Sequence, residues 1–170
     1  MNQSAPSDPF WDAVRRRHQD VTLVVLPPTD PAPVPATREP NAGAEDVQAA
    51  AERVVAVAES LWQVAVAVDT PPPRTDVVPA GTPGGVVVTW SQQWVGVPDA
   101  APVSAVAGEL NQTVVERGPL SSVQGHAGEH QVVALWSQQH ATFTLRVTSA
   151  AFEVGRRART EMLRRGAVER

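Results

Sequence analysis

The sequence predicts an α+β domain: a two-layer arrangement of a mixed or antiparallel sheet of about four strands, with helices on one face and Pro-rich connecting loops. Three observations predict it. Val47, Ala51, Val54, Ala58, Leu61, Ala65 and Val68 recur at alternating spacings of four and three, the period of one helix stripe. Val86–Trp94 and Ala141–Ser149 alternate apolar with polar residues, the period of half-buried strands. Helical and strand patterns also interleave along the chain, in the order α–β–α–β–α–β–β–α.

Taking the elements in order, Asp8-Pro9 reads as an N-cap followed by a first-turn proline, opening a short helix over Phe10–His18. Val21–Leu26 is β-branched and apolar, as in a strand buried on both faces, and Pro27-Pro28 stops it. Six prolines between residues 27 and 43 read as a polyproline tether or surface loop. The long helix follows over Ala44–Val68; Val55, Val57, Trp62 and Val64 widen its apolar face enough to require a covering sheet or partner helix. Residues 69–85, with Pro71-Pro72-Pro73 and two further prolines, form a second irregular stretch.

Val86, Val88, Trp90 and Trp94 then share one face of a strand. Asp99 and Pro102 open a helix in which Val103, Val106, Leu110 and Val114 share a side, with Arg117-Gly118-Pro119 read as its end. Gln131–Gln139 and Ala141–Ser149 read as a hairpin. A peripheral helix over Ala150–Ala167, supported by Glu153–Arg157, Arg157–Glu161 and Glu161–Arg165 at i,i+4, closes the chain. The whole, residues 1–170, reads as a single domain. Val86–Gln93 recurs loosely as Val132–Gln139, sharing the word Trp-Ser-Gln-Gln at an offset of 46 residues. That reads either as an αβ duplication or as two strands of one sheet that drifted to similar composition.

Composition narrows the function classes. Of 170 residues, 42% are hydrophobic, enough for a core, and the formal net charge of −4 argues against a dedicated nucleic-acid binder. Cysteine is absent, which removes disulfides, thiolate catalysis, zinc fingers and iron–sulfur clusters. All fourteen basic residues are Arg and there is no Tyr, so lysine Schiff bases and tyrosine proton donors are excluded too. The pattern looks like a codon bias toward G and C. No apolar run approaches a membrane span and no signal peptide is visible, so a cytoplasmic protein is the default expectation.

Candidate chemistry is sparse. His126-Ala127-Gly128-Glu129-His130 resembles the H-x-x-E-H signature of inverzincin metallopeptidases. That resemblance implies His126 and His130 as zinc ligands and Glu129 as the base, with Glu153 or Glu161 in principle a third ligand; apart from it, a loop metal site would draw on His126, His130 or His140. The signature needs a helix, whereas Gly125 and Gly128 weaken one and a strand begins at Gln131; a polar loop is the plainer reading. Trp94-Val95-Gly96 has the letters of the Trp-X-Gly turn of small type VII secretion substrates, but a strand precedes it and the Tyr of their export signal has no counterpart. Gly81–Gly85 lacks the Lys of a phosphate loop and precedes a strand, so it reads as a turn. No Gly-x-Ser-x-Gly elbow exists, and no cofactor is implied.

Interaction features are more numerous. Five tryptophans serve cores and interfaces alike; Trp90, Trp94 and Trp136 are candidates for an interface as well as for the core. Arg156 and Arg157 lead an Arg-rich C-terminal helix. The stretch from residue 86 onward carries eight Arg against seven acids, and the stretch before it six against eleven, an asymmetry that steers an acidic partner or lets the two halves attract one another. The leading expectation is a non-enzymatic protein–protein interaction module, an adaptor, chaperone-like or assembly component binding another protein or itself. A small metal-dependent enzyme or small-molecule binder at the His126–His140 loop is second. Anionic-polymer binding through the C-terminal helix is third.

Overall fold

The computed structural model describes residues 17, 39–66 and 75–168, with side chains to residue 164. Apart from residue 17, which is helical, the helix expected over 10–18 lies outside these residues, as do the strand over 21–26, residues 27–38 of the Pro-rich stretch 27–43, and the stretch 67–74. All described elements belong to the compact unit spanning residues 35–170.

Among the described residues from 39 onward, three helices, α1 (Ala44–Val66), α2 (Ala101–Leu110) and α3 (Arg156–Val168), accompany seven strands. The strands are β1 (Thr75–Pro79), β2 (Gly85–Val95), β3 (Val115–Arg117), β4 (Leu120–Ala127), β5 (His130–Ser137), β6 (Thr142–Thr148) and β7 (Phe152–Glu153). They form one antiparallel sheet in the order β1-β2-β6-β5-β4-β3, with β7 pairing the start of β2. The α+β class therefore holds, and the sheet has seven strands where about four were expected.

The extra strands have identifiable causes. Asn111, not Arg117-Gly118-Pro119, ends α2: it sits in the left-handed region (φ 51°, ψ 42°). Its N–H bonds the Gly108 carbonyl and the Gln112 N–H bonds that of Ala107, the Schellman arrangement. With the helix closed there, Gly118-Pro119 becomes the two-residue tip of the β3–β4 hairpin, Gly118 taking φ +58°. Gly128-Glu129 forms the next tip, between Ala127 and His130, with Gly128 at φ +61° as a type II′ turn demands. Strands β3 to β6 thus run as a continuous meander. At the C-terminus the helix starts at Arg156 rather than Ala150, because Phe152-Glu153 pair with Val86 and Gly85 as β7 and Gly155 turns at φ +82°.

One face of the sheet carries the core. Val86, Val88 and Trp90 of β2, Phe143, Leu145 and Val147 of β6, Val132 and Ala134 of β5 and Val123 of β4 are buried on it. Helix α1 packs over β2 and β6, and α2 over β4 and β5. Trp62 of α1 is the keystone: its ring meets Trp90 edge-on at 5.9 Å (72°) and Phe143 at 5.9 Å (42°). The helix begins with Asp46 accepting the Gly43 N–H at 2.7 Å, half of a capping box, and two acids favour the first turn. Helix α3 contacts β1 and β2 at the other end of the sheet, where Arg159 donates to the Pro83 carbonyl at 2.9 Å.

Candidate functional site

The His-Gly-Glu-His string lies on the β4–β5 hairpin, and side chains alternate across a strand pair. His126 pairs with Gln131 and is exposed on the face away from α1 and α2; His130 pairs with Ala127, is buried on the helix face, and lies 3.4 Å from the Ala127 carbonyl through Nδ1. Glu129 occupies the turn and meets Arg53 of α1 at 3.6 Å, both well exposed. The hairpin therefore sends the two histidines to opposite sides of the sheet, and no cluster of three metal-ligating side chains exists among the described residues. The helix that the inverzincin signature needs is replaced by a two-residue turn. His140, in the β5–β6 turn, is exposed and joins neither.

The tryptophans divide. Trp90 is 1% exposed and belongs to the core, a correction to its candidacy for an interface. Trp94, Phe143 and Trp136 stand side by side across β2, β6 and β5 on the helix face. Trp94 and Trp136 are half-buried against the core, and the Trp136 indole N–H donates to the Val97 carbonyl at 3.0 Å. They finish the core rather than forming a patch beyond it. Arg156 and Arg157 are exposed at the start of α3, as an interaction role requires.

Two shallow clefts flank α1. One, about 350 Å³, lies between Val57, Ser60 and Leu61 of α1, Glu109 and Leu110 of α2, and Ala127. The other, about 330 Å³, runs between α1 and Ala151-Phe152 and includes Asp46 and Arg53, whose charges are already engaged with the Gly43 N–H and Glu129. Neither holds a nucleophile beside a base, the minimum for acyl or phosphoryl transfer chemistry.

The largest feature left is the second face of the sheet. The register places Leu120, Ser122, Gln124 and His126 of β4, Gln131, Val133, Leu135 and Ser137 of β5, and Thr142, Thr144, Arg146 and Thr148 of β6 on it. Ser91, Gln93 and Val95 continue it on β2, and Val115 on β3. Over β4, β5 and β6 none of the described helices packs on this face. With Arg117, which pairs with Leu120 from β3, two of its seventeen positions on β2 to β6 carry a fixed charge, Arg117 and Arg146, and none is acidic. Val133 and Leu135 sit half-buried at its centre, among hydroxyls and amides. Three of the four exposed large hydrophobic side chains among the described residues, Val95 (71%), Val115 (47%) and Leu120 (39%), lie on it; the fourth, Val64, is on α1. Charge depletion with an apolar centre is the composition of an interface core.

Sequence reasoning saw half of this surface. It placed Thr142, Thr144, Arg146 and Thr148 on one side of their strand, but read β3 as the end of an overlong helix and β4 as loop. The signal that marks the face is four polar strand edges with almost no acid or base.

Comparison with protein-family models, with characterised proteins and with solved structures returns no match, so the reading of this surface rests on its own chemistry.

Proposed function

We propose that this chain is a non-enzymatic protein–protein interaction module that binds through the face of the sheet opposite α1 and α2. The supporting observation is that face's composition: a Val133–Leu135 centre, two arginines and no acid across β2 to β6, and the exposed Val95, Val115 and Leu120. A face of hydroxyls, amides and branched aliphatics buries few charges on being covered, and its polar groups need hydrogen-bond partners on the covering surface. The clefts and the His-containing hairpin offer no comparable convergence of groups.

The test is recovery of the tagged full-length protein from its native host, in three forms. The wild type and Val64→Arg, altered on the helix layer, are expected to bring down the same partner in near-stoichiometric amount. Leu135→Arg, at the centre of the open face, is expected to lose it. Equal recovery with Leu135→Arg would refute the assignment of this face.

A second reading, anionic-polymer binding through α3, is favoured by one observation: Arg156, Arg157 and Arg164 are all exposed on it. Binding to random duplex DNA that falls steeply with salt would support it, and no binding at low salt would remove it.

A further inference from the structure

We infer that the occupant of the open face is a second copy of this chain, packed sheet against sheet across a two-fold axis; this rests on the reading of that face as the interaction surface. The first argument is electrostatic. Each copy carries a net charge of −4, so two copies repel unless their acids are kept apart. Of the nine exposed acids among the described residues, Glu45, Asp46, Glu52 and Glu109 belong to α1 and α2, on the layer behind the sheet, and none occupies a position on the open face of β2 to β6. Sheet-to-sheet contact puts both acidic layers outermost, separated by two sheets and the ~10 Å between them. Contact through the helix layer would instead bring the acids together.

The second argument is self-complementarity. An isologous interface needs one patch that satisfies itself. Serine, threonine and glutamine each donate and accept, so a hydroxyl and amide face carries its own complement. A face specialised for a charged partner would carry several charges of one sign. Neither fixed charge obstructs the arrangement: Arg117, beside Leu120, lies one row from the Val115–Ser122–Leu135 row, so an axis along that row carries each Arg117 away from the partner's Arg117. Arg146 lies one side-chain row from Thr144 and Leu135, which stand opposite each other in the register. An axis along that Thr144–Leu135 row carries each Arg146 over the partner's Thr142, one row beyond, and keeps the two guanidinium groups apart.

The third argument is size. Ser91–Val95 of β2 with β3, β4, β5 and β6, at about 3.4 Å per residue and about 4.8 Å per strand, project to roughly 500 Å². Side-chain relief raises the accessible area above the projection, toward the ~800 Å² per partner of a standard interface.

Sedimentation velocity of the purified full-length chain from about 1 to 100 µM tests this. A concentration-dependent dimer is expected, retained in Val64→Arg and weakened roughly a hundredfold or more in Leu135→Arg, where each copy would bury an unpaired guanidinium. Thr144→Arg, beside Leu135 on the same face, provides the same readout should Leu135→Arg fail the circular-dichroism check for folding. A monomer at 100 µM overturns the inference, as does a dimer indifferent to both substitutions. The recovery experiment separates the two levels. A monomeric wild type that captures a different protein, lost in Leu135→Arg, sinks the second copy and leaves the interaction face standing. A monomer that captures nothing sinks both.

Discussion

The same substitution at two tryptophans should give opposite balances, because one indole N–H is bonded and the other is not. Trp62 is 2% exposed, and its Nε1 has no hydrogen-bond partner among the described residues. Trp62→Phe removes two ring carbons and the nitrogen. At ~0.8 kcal/mol per buried carbon the apolar loss is about 1.6 kcal/mol, while deleting an unsatisfied buried donor recovers about 1–3 kcal/mol. The two nearly cancel, so a net change within about 1 kcal/mol is expected. Trp136→Phe loses similar carbon contact, discounted for partial exposure, and also leaves the Val97 carbonyl without its 3.0 Å donor. There both terms are losses, and about 1–3 kcal/mol should go. Trp62→Ala, which empties the contact with Trp90 and Phe143, should cost about 3–5 kcal/mol. Urea unfolding followed by far-UV circular dichroism measures all three. If Trp62→Phe destabilised as much as Trp136→Phe, the Trp62 indole would have to be bonded, and the packing described around it would be wrong.

Four further outcomes follow from named positions. Gly85→Ala should destabilise by at least about 2 kcal/mol in the same assay, since a Cβ there would fall 2.2 Å from Thr82 Oγ1 and 2.9 Å from Ala80 Cβ. It would also disturb the hydrogen bond from Thr82 to the buried Glu153 carboxylate that holds the β1–β2 turn against β7. Ala141→Gly should stabilise by up to about 1 kcal/mol, because Ala141 sits at φ 46° and relief of about 1–2 kcal/mol of left-handed strain exceeds the entropy cost of glycine. Asn111→Gly should be close to neutral and Asn111→Ala should cost about 1 kcal/mol, as the cap at φ 51° requires. Zinc should leave the melting temperature unchanged, with or without His126→Ala, because His126 and His130 face opposite sides of the sheet; a rise abolished by His126→Ala would contradict that placement.

The long helix and the strands at 86–94, 131–137 and 142–148 were legible in the sequence because each has an uninterrupted period and a face buried by non-local partners. What failed was punctuation. Asn111 was passed over as a helix end in favour of Arg117-Gly118-Pro119, although asparagine is the residue after glycine that best tolerates the left-handed region. That one misreading absorbed β3 and most of β4 into helix and loop, and with them half of the open face. The strand β1 was missed because Pro79 closes it and Pro71–Pro73 precede it; a proline is tolerated there because β1 is an edge strand, bonded on one side. The string His126–His130 looked like chemistry because one-dimensional spacing cannot tell a helix, where i and i+4 share a side, from a hairpin, where these two residues do not. The repeated Trp-Ser-Gln-Gln word has a simple structural counterpart: β2 and β5 flank β6 in one sheet, and Trp90 and Trp136 both turn toward the helices.

The native chain has no cysteine, so single-cysteine variants report on one surface at a time. Thr144→Cys probes the open face and Ser60→Cys the exposed flank of α1. The decisive measurement is the rate of maleimide labelling of each variant, alone at nanomolar concentration and then at high concentration in host extract. Binding through the sheet should slow labelling at Thr144→Cys on going to the crowded sample and leave Ser60→Cys unchanged. Equal rates at Thr144→Cys in both samples, or protection at Ser60→Cys instead, would contradict the open face as the interaction surface.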